Sequence, residues 1–235
     1  MLRATLLLSL LASLNAVDVQ LGELNAAVYV PEDRTPVGLL VWFHSPQSDA
    51  QQDADWWKGR GLTERGLAVV APRCPANSWQ DLRDRIPVME LLRLSQEHTK
   101  LTPAEVILGG EGNGAGFAMR LACDFQTAVC GGALLARGFE RSGWRDATDS
   151  APIFGLYGNA NDSSVPMTTV RSLSKRLRKA GYQVHVESAL AGKALDPVLA
   201  ELLGTVATKM GIRLRPGTWF NGRDAVIPLE PEARE

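Results

Sequence analysis

The sequence predicts an α/β fold, a doubly wound and mostly parallel sheet with helices on both faces in three layers. Three observations carry that expectation. Apolar strand-like runs alternate with helix-like segments along the chain, the order expected of a parallel sheet built from crossover units. Most strand candidates are short β-branched or aromatic runs that end in Pro, Gly or Ser, the form of buried parallel strands. The chain has 235 residues, 45% of them hydrophobic, with a formal charge of −1, so it can bury one sizeable core and has the length of one domain.

In chain order, the first residues stand apart. Met1-Leu2-Arg3 followed by the apolar stretch from Ala4 to Leu14 has the shape of a secretory signal and is too short to span a bilayer. Ala16 is small, as a cleavage site requires, although Leu14 stands where a second small residue is wanted. The expectation is a signal peptide over 1–16 and an exported protein, in the periplasm, secreted or at the cell surface, with the cytoplasm as the alternative and with no transmembrane helix. An apolar N-terminal helix, a strand or an uncleaved anchor shares that composition.

A domain is expected over 17–211. Its strand candidates are Ala26 to Val30, Leu39 to His44, Leu67 to Pro72, Glu105 to Gly109, Gly131 to Ala136, Ile153 to Tyr157 and Gln183 to Ser188. Ser78 with Asp81 three residues on reads as a capping box for a helix through Gln96, with Pro87 expected to kink it. Leu173, Leu177 and Ala180 form an apolar stripe on the helix after Pro166, and the basic run from Arg171 to Lys179 is its solvated face. Asp196-Pro197 supplies a cap and a first-turn proline for a helix ending near Met210. Residues 212–235 are rich in Pro, Gly and charge and are expected to form an irregular extension, with Trp219 and Phe220 anchoring part of it.

Charge and composition exclude some functions. The charged residues are mixed in sign, so nothing points to nucleic acid. The three histidines and three cysteines lack ligand spacing, and neither a metal nor a cofactor is expected. Cys123 and Cys130 are close enough in sequence to pair, leaving Cys74 single, and buried free thiols are the alternative.

The run Val106-Ile107-Leu108-Gly109-Gly110-Glu111-Gly112-Asn113-Gly114-Ala115-Gly116 resembles the strand, nucleophile elbow and helix of small carboxylesterases and lysophospholipases. Small residues flank such an elbow because the strand turns so sharply into the helix. A glycine-rich strand-to-helix step also fits a dinucleotide fingerprint. Two further segments favour the hydrolase. Leu39 to Pro46 resembles a third strand running into an oxyanion motif. Tyr157-Gly158-Asn159-Ala160-Asn161-Asp162-Ser163-Ser164-Val165-Pro166 resembles the run carrying the acid of a catalytic triad. The resemblance covers about Val28 to Met210 and implies an α/β-hydrolase fold, with dienelactone-hydrolase-like members also similar.

The resemblance implies three departures from working chemistry. Acyl transfer in this fold needs a nucleophile, a base and oxyanion donors. Gly112 stands at the nucleophile position and has no side chain. Lys193 stands at the histidine step, and no histidine follows His185. Pro46, after Ser45, stands where a backbone donor is taken and has no N–H, while Asn113 could still contribute its amide. Asp162 is the remaining triad acid, with Asn161 the competing choice.

The expected function is therefore a non-catalytic pseudo-hydrolase holding a peptide, protein, acyl or glycan ligand in the old cleft. The loop from Ser45 to Trp57 would line that cleft, unless Trp56 and Trp57 pack on the sheet instead. The alternative is an active ester or peptide hydrolase with an atypical nucleophile: Ser163 or Ser164 beside Asp162, or Glu111 with Lys193 after a shift of register.

Overall fold

The computed structural model describes residues 17–32, 34–138, 144–159, 165–189, 197–216, 219–220 and 226–227. Eight strands form the main sheet: β1 (Val17–Leu21), β2 (Leu24–Tyr29), β3 (Gly38–Phe43), β4 (Leu67–Pro72), β5 (Val106–Glu111), β6 (Gly132–Ala136), β7 (Ile153–Asn159) and β8 (Val184–Ala189), in the spatial order β1-β2-β4-β3-β5-β6-β7-β8. β1, β2 and β4 pair antiparallel in succession, and from β4 to β8 every pairing is parallel. The expected α/β class and three layers are therefore found. Every strand candidate lies on a strand, and β1 is additional.

The layers follow from the two-residue period of a strand. Leu39, Val41 and Phe43 of β3 join one core cluster, and Leu40 and Trp42 join the other. Helices α2 (Asp81–Thr99), α3 (Asn113–Phe125) and α4 (Met167–Lys179) bury residues in the first cluster. Helices α1 (Ala50–Lys58) and α5 (Pro197–Lys209) bury theirs in the second.

Helix α4 buries Val170, Leu173, Ser174 and Leu177 and leaves Arg171, Lys175, Arg176, Arg178 and Lys179 exposed, so the basic run is a solvated face. Pro197 opens α5 as expected; Asp196 lies outside the described residues.

The start of α2 differs from the capping-box expectation. The helix begins at Asp81, and no side chain caps it; instead the Gln80 N–H is bonded by Asp84 Oδ2 at 2.8 Å. Gln80 is the extended cap residue, and Trp79, just before it, is fastened to α3, as described below. The helix runs on through Pro87 to Thr99. The tail is not wholly irregular: β9 (Trp219–Phe220) and β10 (Val226–Ile227) pair antiparallel.

Cys123 and Cys130 are free and buried, so the pairing alternative gives way to buried thiols. Burial pushes the Cys123 thiol up to about 12 and raises Cys130 as well. Among the described residues no helix is long and apolar enough to cross a membrane, and no three His, Cys, Asp or Glu side chains are placed to hold a metal ion.

Candidate functional site

Strand order places the site. From β3 the chain steps to β4 on one side, while β5 lies on the other, with Phe43 opposite Gly110. The loops leaving the carboxyl ends of β3 and β5 thus diverge, and such a switch point is where open α/β sheets place ligands.

At the end of β5 the backbone reverses at Gly112, whose φ of 57° and ψ of −121° are a conformation that L side chains rarely adopt. Gly112 is the residue before α3, its N–H bonds the carbonyl of Ala136 at 2.9 Å, and its carbonyl accepts from Gly116 at 3.3 Å. The turn is so tight that a Cβ on Gly114 would come within 2.0 Å of the Phe43 carbonyl oxygen. Gly112 differs from Gly114 in this respect. Among the described residues a Cβ there would meet the Ser45 Cβ at 3.4 Å and the Arg137 carbonyl oxygen at 4.0 Å, ordinary contact distances, so these residues would admit it without a clash. The apex is Gly112 and not Glu111: Glu111 is the last, buried residue of β5, and its Oε1 lies 3.2 Å from Arg137 Nη1. The shifted register is thereby corrected.

Asn113 opens α3, and its side chain works away from the apex. Its Oδ1 accepts from the Trp79 N–H, and its Nδ2 donates to the Trp79 carbonyl at 3.1 Å. The Trp79 indole donates to the His44 carbonyl at 3.1 Å, stacks on Phe117 and meets Phe43 edge-on. The segment between β4 and α2 is thus tied to both elbow and β3. His44, just past β3, accepts the Cys74 N–H at Nε2 (3.1 Å), so its proton is assigned to Nδ1, which donates to the Ser45 carbonyl at 2.9 Å.

The region after β3 is closed as a turn. The Ser45 N–H is taken by Ser48 Oγ at 3.2 Å, and the Ser45 carbonyl accepts from Ser48 N–H at 3.2 Å. Pro46 is exposed and, as a proline, has no N–H to offer. The tryptophans do not line a cleft as a loop. Both belong to α1, and Trp57 is fully buried against Trp42, with ring centroids 4.9 Å apart. They pack as part of an amphipathic first helix, the reading in which Trp56 and Trp57 pack on the sheet.

Asp162, Lys193, Ser163, Ser164 and Asn161 lie outside the described residues. The structure therefore brings together Gly112, Asn113, Ser45 and Pro46 from the expected set. His185 sits within β8, opposite Gly155 of β7, and His98 lies in the last turn of α2.

Sequence reasoning missed Asp53. This carboxyl is 1% exposed on α1, accepts from the Trp42 indole at 2.8 Å and from Ser48 Oγ at 3.3 Å. Burial lifts its pKa to about 6; the Trp42 and Ser48 hydrogen bonds oppose that rise and the Asp49 carboxylate adds to it. Nothing in the spacing of the Gln- and Asp-rich stretch signals it, because its main partner comes from β3.

Solved structures of an esterase share this fold. The apo form of Thermogutta terrifontis esterase 2 superposes with a TM-score of 0.65 at 15% identity, over 88% of this chain and 97% of that one. The same esterase phosphorylated by paraoxon gives 0.64 at 17% identity over 85% and 94%, and its propionate-bound form 0.63 at 15% over 86% and 96%. No protein-family model and no curated protein matches the sequence.

Proposed function

We propose that this chain, an α/β-hydrolase fold resembling an esterase, is a pseudo-hydrolase that holds a ligand in the former active-site cleft without turning it over. The observation that carries the reading is Gly112. It has the backbone of a nucleophile elbow, and the described residues around it would admit a Cβ, yet it has no side chain to attack a carbonyl. Read with Lys193 at the histidine step and Pro46 at the oxyanion step, the elbow lacks the nucleophile, the base and one oxyanion donor, leaving Asp162 as the remnant of a triad.

A small acyl ligand is the class favoured among peptide, protein, acyl and glycan. The support is the similarity to an esterase whose solved forms include propionate-bound and butyrate-bound states. Without a serine side chain the apex has room for part of such a ligand, and the first N–H groups of α3 are donors that a helix cannot satisfy internally. The signal-like stretch over 1–16 supports an exported protein.

Binding is tested by titrating the labelled protein with propionate and butyrate and following amide resonances by NMR. Saturable shifts centred on Gly112, Asn113 and Ser45 are expected. Shifts scattered over the surface, or none in the millimolar range, would contradict an acyl cleft.

A further inference from the structure

A chain of polar groups reaches the elbow from the β3 side. Ser45 is 4% exposed, and its Cβ stands 3.4 Å from where a Cβ on Gly112 would be, so it packs beside the apex. Ser45 Oγ lies 3.4 Å from Ser48 Oγ, and Ser48 Oγ donates to Asp53 Oδ2 at 3.3 Å. Counting protons sets the direction of this chain. A serine hydroxyl has one proton to donate. Ser48 uses its proton on Asp53, so the proton between the two serines belongs to Ser45. Ser45 Oγ also accepts the Gln47 N–H at 3.3 Å, which occupies one of its two lone pairs.

We propose that Ser45 is a reactive hydroxyl that accepts a single acyl group from an activated ester bound at the elbow, its proton passing through Ser48 to Asp53. In this step the Ser45 Oγ–acyl carbon bond forms and the bond from acyl carbon to leaving oxygen breaks. The leaving group departs as its anion. The Ser45 proton moves to Ser48 as the Ser48 proton moves to Asp53, leaving Asp53 neutral.

The environment of Asp53 suits that task. Trp42 of β3 and Ser48 of the preceding turn hold its carboxylate, and Asp49, the cap of α1, is the charged group that faces it among the described residues. Its raised pKa leaves it ionised at neutral pH and more basic than an ordinary carboxylate. Hydrolysis of the acyl group is a different matter. It needs a base on the water that attacks it, and Asp53 is screened from that position by two serines. One equivalent is consumed and the acyl group stays. The inference rests on the cleft admitting an acyl ligand, as proposed above, and adds covalent capture to it.

The test uses p-nitrophenyl acetate with the whole chain. The expected result is a burst of nitrophenolate approaching one equivalent per chain, with one acetyl group in the intact mass and on the peptide containing Ser45. Ser45→Ala should abolish the burst and the acetylation. Ser48→Ala and Asp53→Asn alter positioning residues and should slow the burst by about a hundredfold. The wild-type burst rate should rise with pH through an inflection near 6, which Asp53→Asn flattens; a merely structural role would not move that profile. Circular dichroism confirms that each variant is folded. A burst that survives Ser45→Ala, acetyl on another residue, or no acetylation overturns the proposal. An unchanged pH profile in Asp53→Asn overturns the relay. Propionate shifts that persist without acetylation leave the binding reading standing and remove only Ser45, whereas sustained turnover contradicts the binding reading itself.

Discussion

Asp53 makes stability depend on pH in a direction opposite to most carboxylates. Its pKa rises from 3.8 in the open chain to about 6 in the fold, chiefly through burial. The folded state then binds the proton more tightly than the unfolded one, so stability is highest when both are protonated and falls as pH rises through the window from 3.8 to about 6. Each unit is about 1.4 kcal/mol, so the full loss is about 3 kcal/mol. Asp53→Asn keeps an acceptor for the Trp42 indole and for Ser48 but has no charge to desolvate. Urea unfolding followed by tryptophan fluorescence, on both proteins at about pH 4 and about pH 7, isolates the effect. Wild type should lose about 2 kcal/mol more than Asp53→Asn between those conditions, since part of the loss is already present at the lower pH. Parallel losses in the two proteins would refute the burial argument.

Other outcomes follow from the same geometry. Gly112→Ala should fold but cost about 1–3 kcal/mol in urea unfolding, because the site has space while φ of 57° strains an L residue. Gly114→Ala should cost on the order of 4 kcal/mol or prevent folding, since its Cβ would stand 2.0 Å from the Phe43 carbonyl oxygen. Asn113→Ala removes both bonds to the Trp79 backbone and should lower stability by about 1–3 kcal/mol, with faster exchange of the Trp79 amide. A thiol reagent should modify no more than Cys74 in the native protein and all three cysteines in denaturant, because Cys123 and Cys130 are buried.

The fold was legible where burial left a plain mark. β3, β4 and β5 are buried at every position, and continuous apolar runs such as Leu67 to Pro72 identify strands of that kind without reference to neighbours. β1 was not legible because Val17-Asp18-Val19-Gln20-Leu21 mixes polar with apolar residues beside a stretch read as a signal; among the described residues it is an edge strand, paired with β2 alone. The start of α2 was misplaced because local cap chemistry at Ser78 is overridden by a distant contact, the Asn113 amide gripping Trp79. Within the site, the elbow was legible because close approach demands glycine at fixed spacing. The Ser45–Ser48–Asp53 chain was not. It depends on α1 folding back under β3 so that Trp42 meets Asp53, a contact that no local pattern announces.

The central claim is that an elbow with glycine at its apex supports no repeated hydrolysis. Steady-state release of nitrophenolate from p-nitrophenyl propionate by the purified chain, against a heat-killed control, tests it most directly. After any initial burst of up to one equivalent, the rate should equal that of the control. Sustained release of many equivalents per chain would contradict the account.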